Sequence, residues 1–93
     1  MDSEEATSIL ARELERYRAM PYADLISLLD QTKHIDTTGP SGNKYQVDIY
    51  GAWDNESKRH LRIIGAVDDG GWRAFAPLTD SFILRPDGTF VGE

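Results

Sequence analysis

The stretch from Leu61 to Phe75 limits the fold more than any other part of the chain. Leu61, Ile63, Gly65 and Val67 alternate with Arg62, Ile64, Ala66 and Asp68, the period-2 pattern of a pleated strand. Asp69-Gly70 follows, a dipeptide that tolerates positive φ at both centres of a type I′ hairpin turn. A two-residue loop there pairs Val67 with Trp72, Ala66 with Arg73, Gly65 with Ala74 and Ile64 with Phe75. Register and pleat are locked together, so each pair shares a face. Trp72 is then expected beneath a covering layer, and Arg73 and Phe75 outside it.

The remaining elements follow from similar local signals. Asp2, followed three residues later by Glu5, reads as a helix start in which both side chains satisfy orphan N–H groups. Ile9, Leu10, Leu14 and Tyr17 then recur at helical spacing, a narrow apolar stripe. Pro21 interrupts this helix and suits the first turn of a second one, expected from Pro21 to Leu29. Leu25, Leu28 and Leu29 make that helix the more apolar, hence the expected main lid over the sheet. Lys33 to Thr37 reads as a short strand, and Thr38 to Asn43 as a loop dense in turn residues. Lys44 to Trp53 is a long strand with Tyr45, Val47, Ile49, Gly51 and Trp53 on its core face. Pro77 ends pairing or places the strand before it at an edge. Ser81 to Arg85 and Thr89 to Val91 form a last hairpin around Pro86-Asp87-Gly88, a type I turn closed by glycine.

The chain thus reads as one α+β domain over residues 1–93. Two N-terminal helices pack on one face of an antiparallel meander of four to five strands. At 93 residues, 40% of them hydrophobic, it can bury one core and not two.

Composition removes several functional classes. The net charge is −6, from 16 acidic and 10 basic side chains, so a phosphate-tracking surface lacks its electrostatic footprint. Arg62, Arg73 and Arg85 are the only foothold for nucleic acid, and none is expected as a partner. There are no cysteines, which removes disulfides, thiolate metal sites and a cysteine nucleophile. The acidic N-terminus does not match a signal peptide, and no apolar run approaches a membrane span. A cytoplasmic location without membrane attachment is the expectation.

Candidate motifs have plainer readings. Gly39-Pro40-Ser41-Gly42-Asn43-Lys44 departs from a phosphate loop in glycine spacing and is followed by a strand, so it reads as a hairpin loop. Asp68-Asp69-Gly70-Gly71 reads as turn chemistry, since a calcium site needs six to eight oxygens. His34 and His60 sit in no metal spacing and face no nucleophile motif. No metal or cofactor is expected. Gly51, Gly65 and Ala74 share the core face, where they either admit a helix closely or leave a pocket beside Trp53 and Trp72.

The opposite sheet face is the best functional hint. It should display Gln46, Asp48, Tyr50, Arg62, Ile64, Arg73 and Phe75, with Ile83 and Arg85 if the last hairpin keeps register, and tyrosine, phenylalanine and arginine are types enriched at binding surfaces. Read plainly, it is an open face with arginine stems lying over isolated apolar residues. Read functionally, it is a non-enzymatic surface for a protein partner or for a second copy in a homodimer. The alternative is a small-molecule site or enzyme in a cleft between helices and sheet, lined by Trp53, Trp72, Asp68 and His60. Catalysis would need a nucleophile–base pair or metal spacing, and neither is visible.

Thr38-Gly39-Pro40-Ser41-Gly42, Tyr45-Gln46-Val47 and Val67-Asp68-Asp69-Gly70-Gly71-Trp72-Arg73-Ala74-Phe75 carry a resemblance. Pro86-Asp87-Gly88 and the closing Phe90-Val91-Gly92-Glu93 add to it. From the second helix onward, about two-thirds of its length, the chain resembles an uncharacterised family of short bacterial proteins. The resemblance implies no activity, cofactor or site residue.

Overall fold

The computed structural model describes residues 1–56, 59–71 and 77–93. The chain runs α1 (Ser3–Arg18), α2 (Tyr22–Leu25) continued as a 3-10 turn (Ile26–Leu29), β1 (Lys33–Thr38), β2 (Lys44–Trp53), β3 (Leu61–Asp68) and β4 (Leu78–Leu84). The four strands form one antiparallel sheet in the order β1-β2-β3-β4. The fold is α+β, with a meander of four strands.

Alternation along the strands decides which face is covered. Tyr45, Val47 and Ile49 of β2, Leu61, Ile63 and Val67 of β3, and Phe82 and Leu84 of β4 are buried on one side. Helix α1 lays Ala6, Leu10, Leu14 and Tyr17 against them, and the second helical segment adds Leu25 and Leu28. The longer helix, not the more apolar one, is therefore the main lid. Its stripe is narrow, but four turns of it run across β3 and β4, whereas the shorter segment packs chiefly on β2.

Two glycines permit this approach. A Cβ on Gly65 would stand 2.6 Å from Leu10 Cδ1 and 3.2 Å from Leu14 Cδ2. One on Gly51 would stand 3.2 Å from the Leu28 carbonyl carbon and 3.3 Å from the Leu29 nitrogen. Gly65 thus seats α1 and Gly51 seats the 3-10 turn. Close approach, rather than a pocket, is the use of both; Ala74 lies outside the described residues.

The hairpin read from Asp69-Gly70 is not the one β3 makes. Val67 faces Leu78, Gly65 faces Asp80, Ile64 faces Ser81 and Leu61 faces Leu84. Leu78–Leu84 take those positions, and residues 69–77 connect β3 to β4. Asp68 Oδ1 accepts from the Gly70 N–H at 2.7 Å and Asp69 Oδ1 from the Gly71 N–H at 3.1 Å. These side-chain turns follow the end of β3. Trp72, Arg73, Ala74 and Phe75 lie outside the described residues.

Two loops share one local design. Gly39-Pro40-Ser41-Gly42-Asn43 and Arg85-Pro86-Asp87-Gly88-Thr89 each put proline at the second position and glycine at the fourth. The Gly39 N–H donates to Asn43 O and the Arg85 N–H to Thr89 O, both at 2.8 Å. Gly42 (φ 93°) and Gly88 (φ 86°) take the left-handed conformation that closes such three-residue loops. After the second loop the expected final strand narrows to one bridge, Leu84 with Phe90, and a Val91 N–H to Ile83 O bond at 2.9 Å.

Candidate functional site

Register orders the helix-free face into rows. Asp36, Gln46 and Asp68 stand side by side, then His34, Asp48, Ala66 and Thr79, then Tyr50, Ile64 and Ser81, then Ala52, Arg62 and Ile83. The first two rows are polar. The last two bring Tyr50 directly opposite Ile64 and place Ile83 one row away, making a half-buried apolar strip that no described helix covers.

Charged groups frame this strip. Arg62 donates from Nε and Nη2 to Asp54 Oδ1 at 2.9 and 2.7 Å, and from Nη1 to Ser81 Oγ at 2.8 Å. Its guanidinium is thereby held between Asp54 and Ser81. On the other side His34 Nδ1 and Asp48 Oδ1 lie 2.5 Å apart. The exposed Arg62–Asp54 ion pair adds at most ~1 kcal/mol to stability, so its effect here is orientation.

Of the residues expected on this surface, Tyr50, Arg62 and Ile64 come together. Arg85 does not join them. It projects past the last β3–β4 pair, and its Nη1 donates to Thr89 Oγ1 at 3.2 Å and Phe90 O at 3.1 Å. Arg73 and Phe75 lie outside the described residues. Ile83, expected on this face if the last hairpin keeps register, does join Tyr50, Arg62 and Ile64, standing opposite Arg62.

The cleft residues do not converge either. Trp53 packs against the core, the Asp68 carboxylate ends β3, and His60 lies by Arg59, Arg85 and Asp87 in a separate shallow hollow. Trp72 lies outside the described residues. A groove of about 350 Å³ instead separates α1 from the end of β1, lined by Glu4, Ile9, Arg12, Glu13, Thr37 and Pro40 among others. Among the described residues, no group of three or more histidine, aspartate or glutamate side chains is arranged to hold a metal ion.

Glu5 forms the wall at the mouth of that groove. Asp2 does cap α1, accepting from the Glu5 N–H at 3.0 Å. The Glu5 carboxylate, however, takes three bonds from elsewhere: Ser41 Oγ at 2.6 Å, Tyr45 Oη at 2.7 Å and the Ser41 N–H at 2.9 Å. These bonds, Ser41 Oγ foremost, hold the carboxyl below its ordinary range. The same bond to Glu5, helped by desolvation, raises the Tyr45 hydroxyl. Gly39 lies directly under the carboxylate, where a Cβ would meet Glu5 Cδ at 2.5 Å. The anion received by this glycine-rich loop is thus the chain's own. No signal in the sequence links Glu5 to Ser41, because the contact exists only once α1 crosses the sheet.

No family model matches the chain, and no curated protein or solved structure matches it either. No helix among the described residues is long and apolar enough to cross a membrane.

Proposed function

We propose that this chain is a small non-enzymatic docking module whose working surface is the helix-free sheet face. One observation carries the reading: the register sets Tyr50 against Ile64, with Ile83 and the immobilised Arg62 in the next row. Tyrosine and arginine are over-represented where binding energy concentrates. An arginine already held by Asp54 and Ser81 has less side-chain freedom to lose on docking. The occupant that fits is another protein, presenting an apolar centre with polar groups around it.

The test compares wild type with the Tyr50→Ser, Ile64→Ser double variant. A partner enriched on the wild-type chain is purified and titrated against both. Loss of about tenfold or more in affinity, with circular dichroism unchanged, supports the surface. A partner bound equally by both chains, or no partner at all, removes it.

The groove beside α1 favours a second reading, a small-molecule binder. Ile9 offers apolar contact, with Arg12 and Glu13 as polar partners. Ligand-induced shifts confined to α1 and Thr37–Pro40 would support it, and a metabolite panel producing none would not.

A further inference from the structure

The two edges of the sheet are not alike. On the outer side of β4, the closing segment occupies the Ile83–Arg85 end through Val91 and Thr89. Strand β1 has no partner on its outer side among the described residues. It runs six residues in unbroken register with β2, without the bulge or proline that blunts many edges, and Lys33 and Asp36 are its charged side chains.

Its outward hydrogen-bonding groups can be assigned. The Gly39 N–H bonds across to Asn43, and antiparallel bonding repeats every second residue. Thr37, Ile35 and Lys33 therefore direct their backbone groups at β2. His34, Asp36 and Thr38 direct theirs outward. Lys33, His34 and Asp36 are all exposed.

We infer that β1 pairs antiparallel with β1 of a second copy, centred on Ile35, to form a continuous eight-stranded sheet. The bonding phase leaves few registers. Only even-numbered residues can face even-numbered residues, since only they have free backbone groups. A register centred on Asp36 would oppose two carboxylates, and one centred on His34 two imidazoles. Centring on Ile35 sets His34 opposite Asp36 twice and Ile35 opposite Ile35, with Lys33 opposite Thr37. Two carboxylates directly opposite repel, and setting Asp36 against His34 avoids that contact. The helices of both copies then lie on the same side of the joined sheet, and the Tyr50–Ile64 strip stays open. The inference therefore does not rest on the docking reading above.

Analytical ultracentrifugation over a concentration series tests it. Wild type is expected to dimerise reversibly. His34→Pro removes an outward N–H without touching the β2 ladder, and is expected to be monomeric with an unchanged circular dichroism spectrum. Two further variants test the register whether or not the proline variant folds. His34→Asp sets carboxylate against carboxylate and should weaken self-association about tenfold or more, and an equimolar mixture with Asp36→Lys should restore a dimer. A wild-type chain that stays monomeric at millimolar concentration overturns the inference. So does a dimer indifferent to these substitutions, or a mixture that fails to re-pair.

Discussion

Tyr45 Oη donates to Glu5 Oε1 at 2.7 Å across 40 positions of sequence, joining the first turn of α1 to the start of β2. With Ser41 on the same carboxylate, this one side chain ties the helix, the β1–β2 loop and the sheet together. The sign of its pH dependence follows. The Glu5 pKa is lower in the folded chain than its ordinary 4.5, so its contribution is complete above 4.5 and is lost as pH falls through the folded value. The Tyr45 pKa is raised above its ordinary 10.0, so that contribution is complete below 10 and is lost as pH rises through the folded value.

Glu5→Gln should therefore melt below wild type at neutral pH, with the gap closing under acid conditions. Tyr45→Phe should remove the alkaline limb that this hydroxyl adds. Thermal unfolding followed from acid to alkaline pH for the three chains checks both. A constant gap between wild type and Glu5→Gln at every pH would contradict the assignment.

Gly65 and Leu10 should behave as a coupled pair. Gly65→Ala places a methyl 2.6 Å from Leu10 Cδ1 and 3.2 Å from Ile49 Cδ1, and overpacking of this kind costs about 1–3 kcal/mol. Leu10→Ala alone should cost about 2–5 kcal/mol through the cavity it leaves. The double variant fills part of that cavity, so its cost in urea unfolding should be less than the sum of the singles.

Arg18 clamps the last turn of α1 to the end of the chain. Its guanidinium lies 4.8 Å from the Phe82 ring centre and 5.0 Å from that of Phe90, and Nη1 donates to Glu93 Oε1 at 2.7 Å. The rings themselves meet edge to face at 5.7 Å. Arg18→Lys keeps the charge but loses the planar stack, and should cost about 1 kcal/mol. Glu93→Gln should cost less than Arg18→Ala and lose its effect in high salt, since only the ion pair is screened. Denaturant melts at low and high salt separate the two.

Local features were legible in the sequence wherever neighbours along the chain decide them. The limits of β2, the Asp2 cap, and the loops at Pro40 and Pro86 all follow from residues within five positions. The alternation in β2 and β3 also fixed the faces of Tyr50, Arg62 and Ile64. Partner choice was not legible in the same way. Asp69-Gly70 fits a tight hairpin, but β3 takes Leu78–Leu84, where Phe82 and Leu84 complete the buried face beneath α1. Arg85 was assigned to the open surface by parity, yet its own loop offers Thr89 and Phe90 as acceptors. Glu5 sits where a capping box would place it, and the Ser41 and Tyr45 hydroxyls draw its carboxylate away. For β3 and Glu5 a contact distant along the chain displaced the local expectation, and for Arg85 its own loop did.

The docking surface depends on Ile64 and Ile83 lying on the side of the sheet away from the helices, while Ile63 and Ile49 lie beneath them. Methyl-labelled NMR with a soluble paramagnetic probe measures this most directly. The Ile64 and Ile83 methyl signals should broaden strongly, and those of Ile63 and Ile49 should persist. Equal protection of all four methyls would contradict an open face and the function assigned to it.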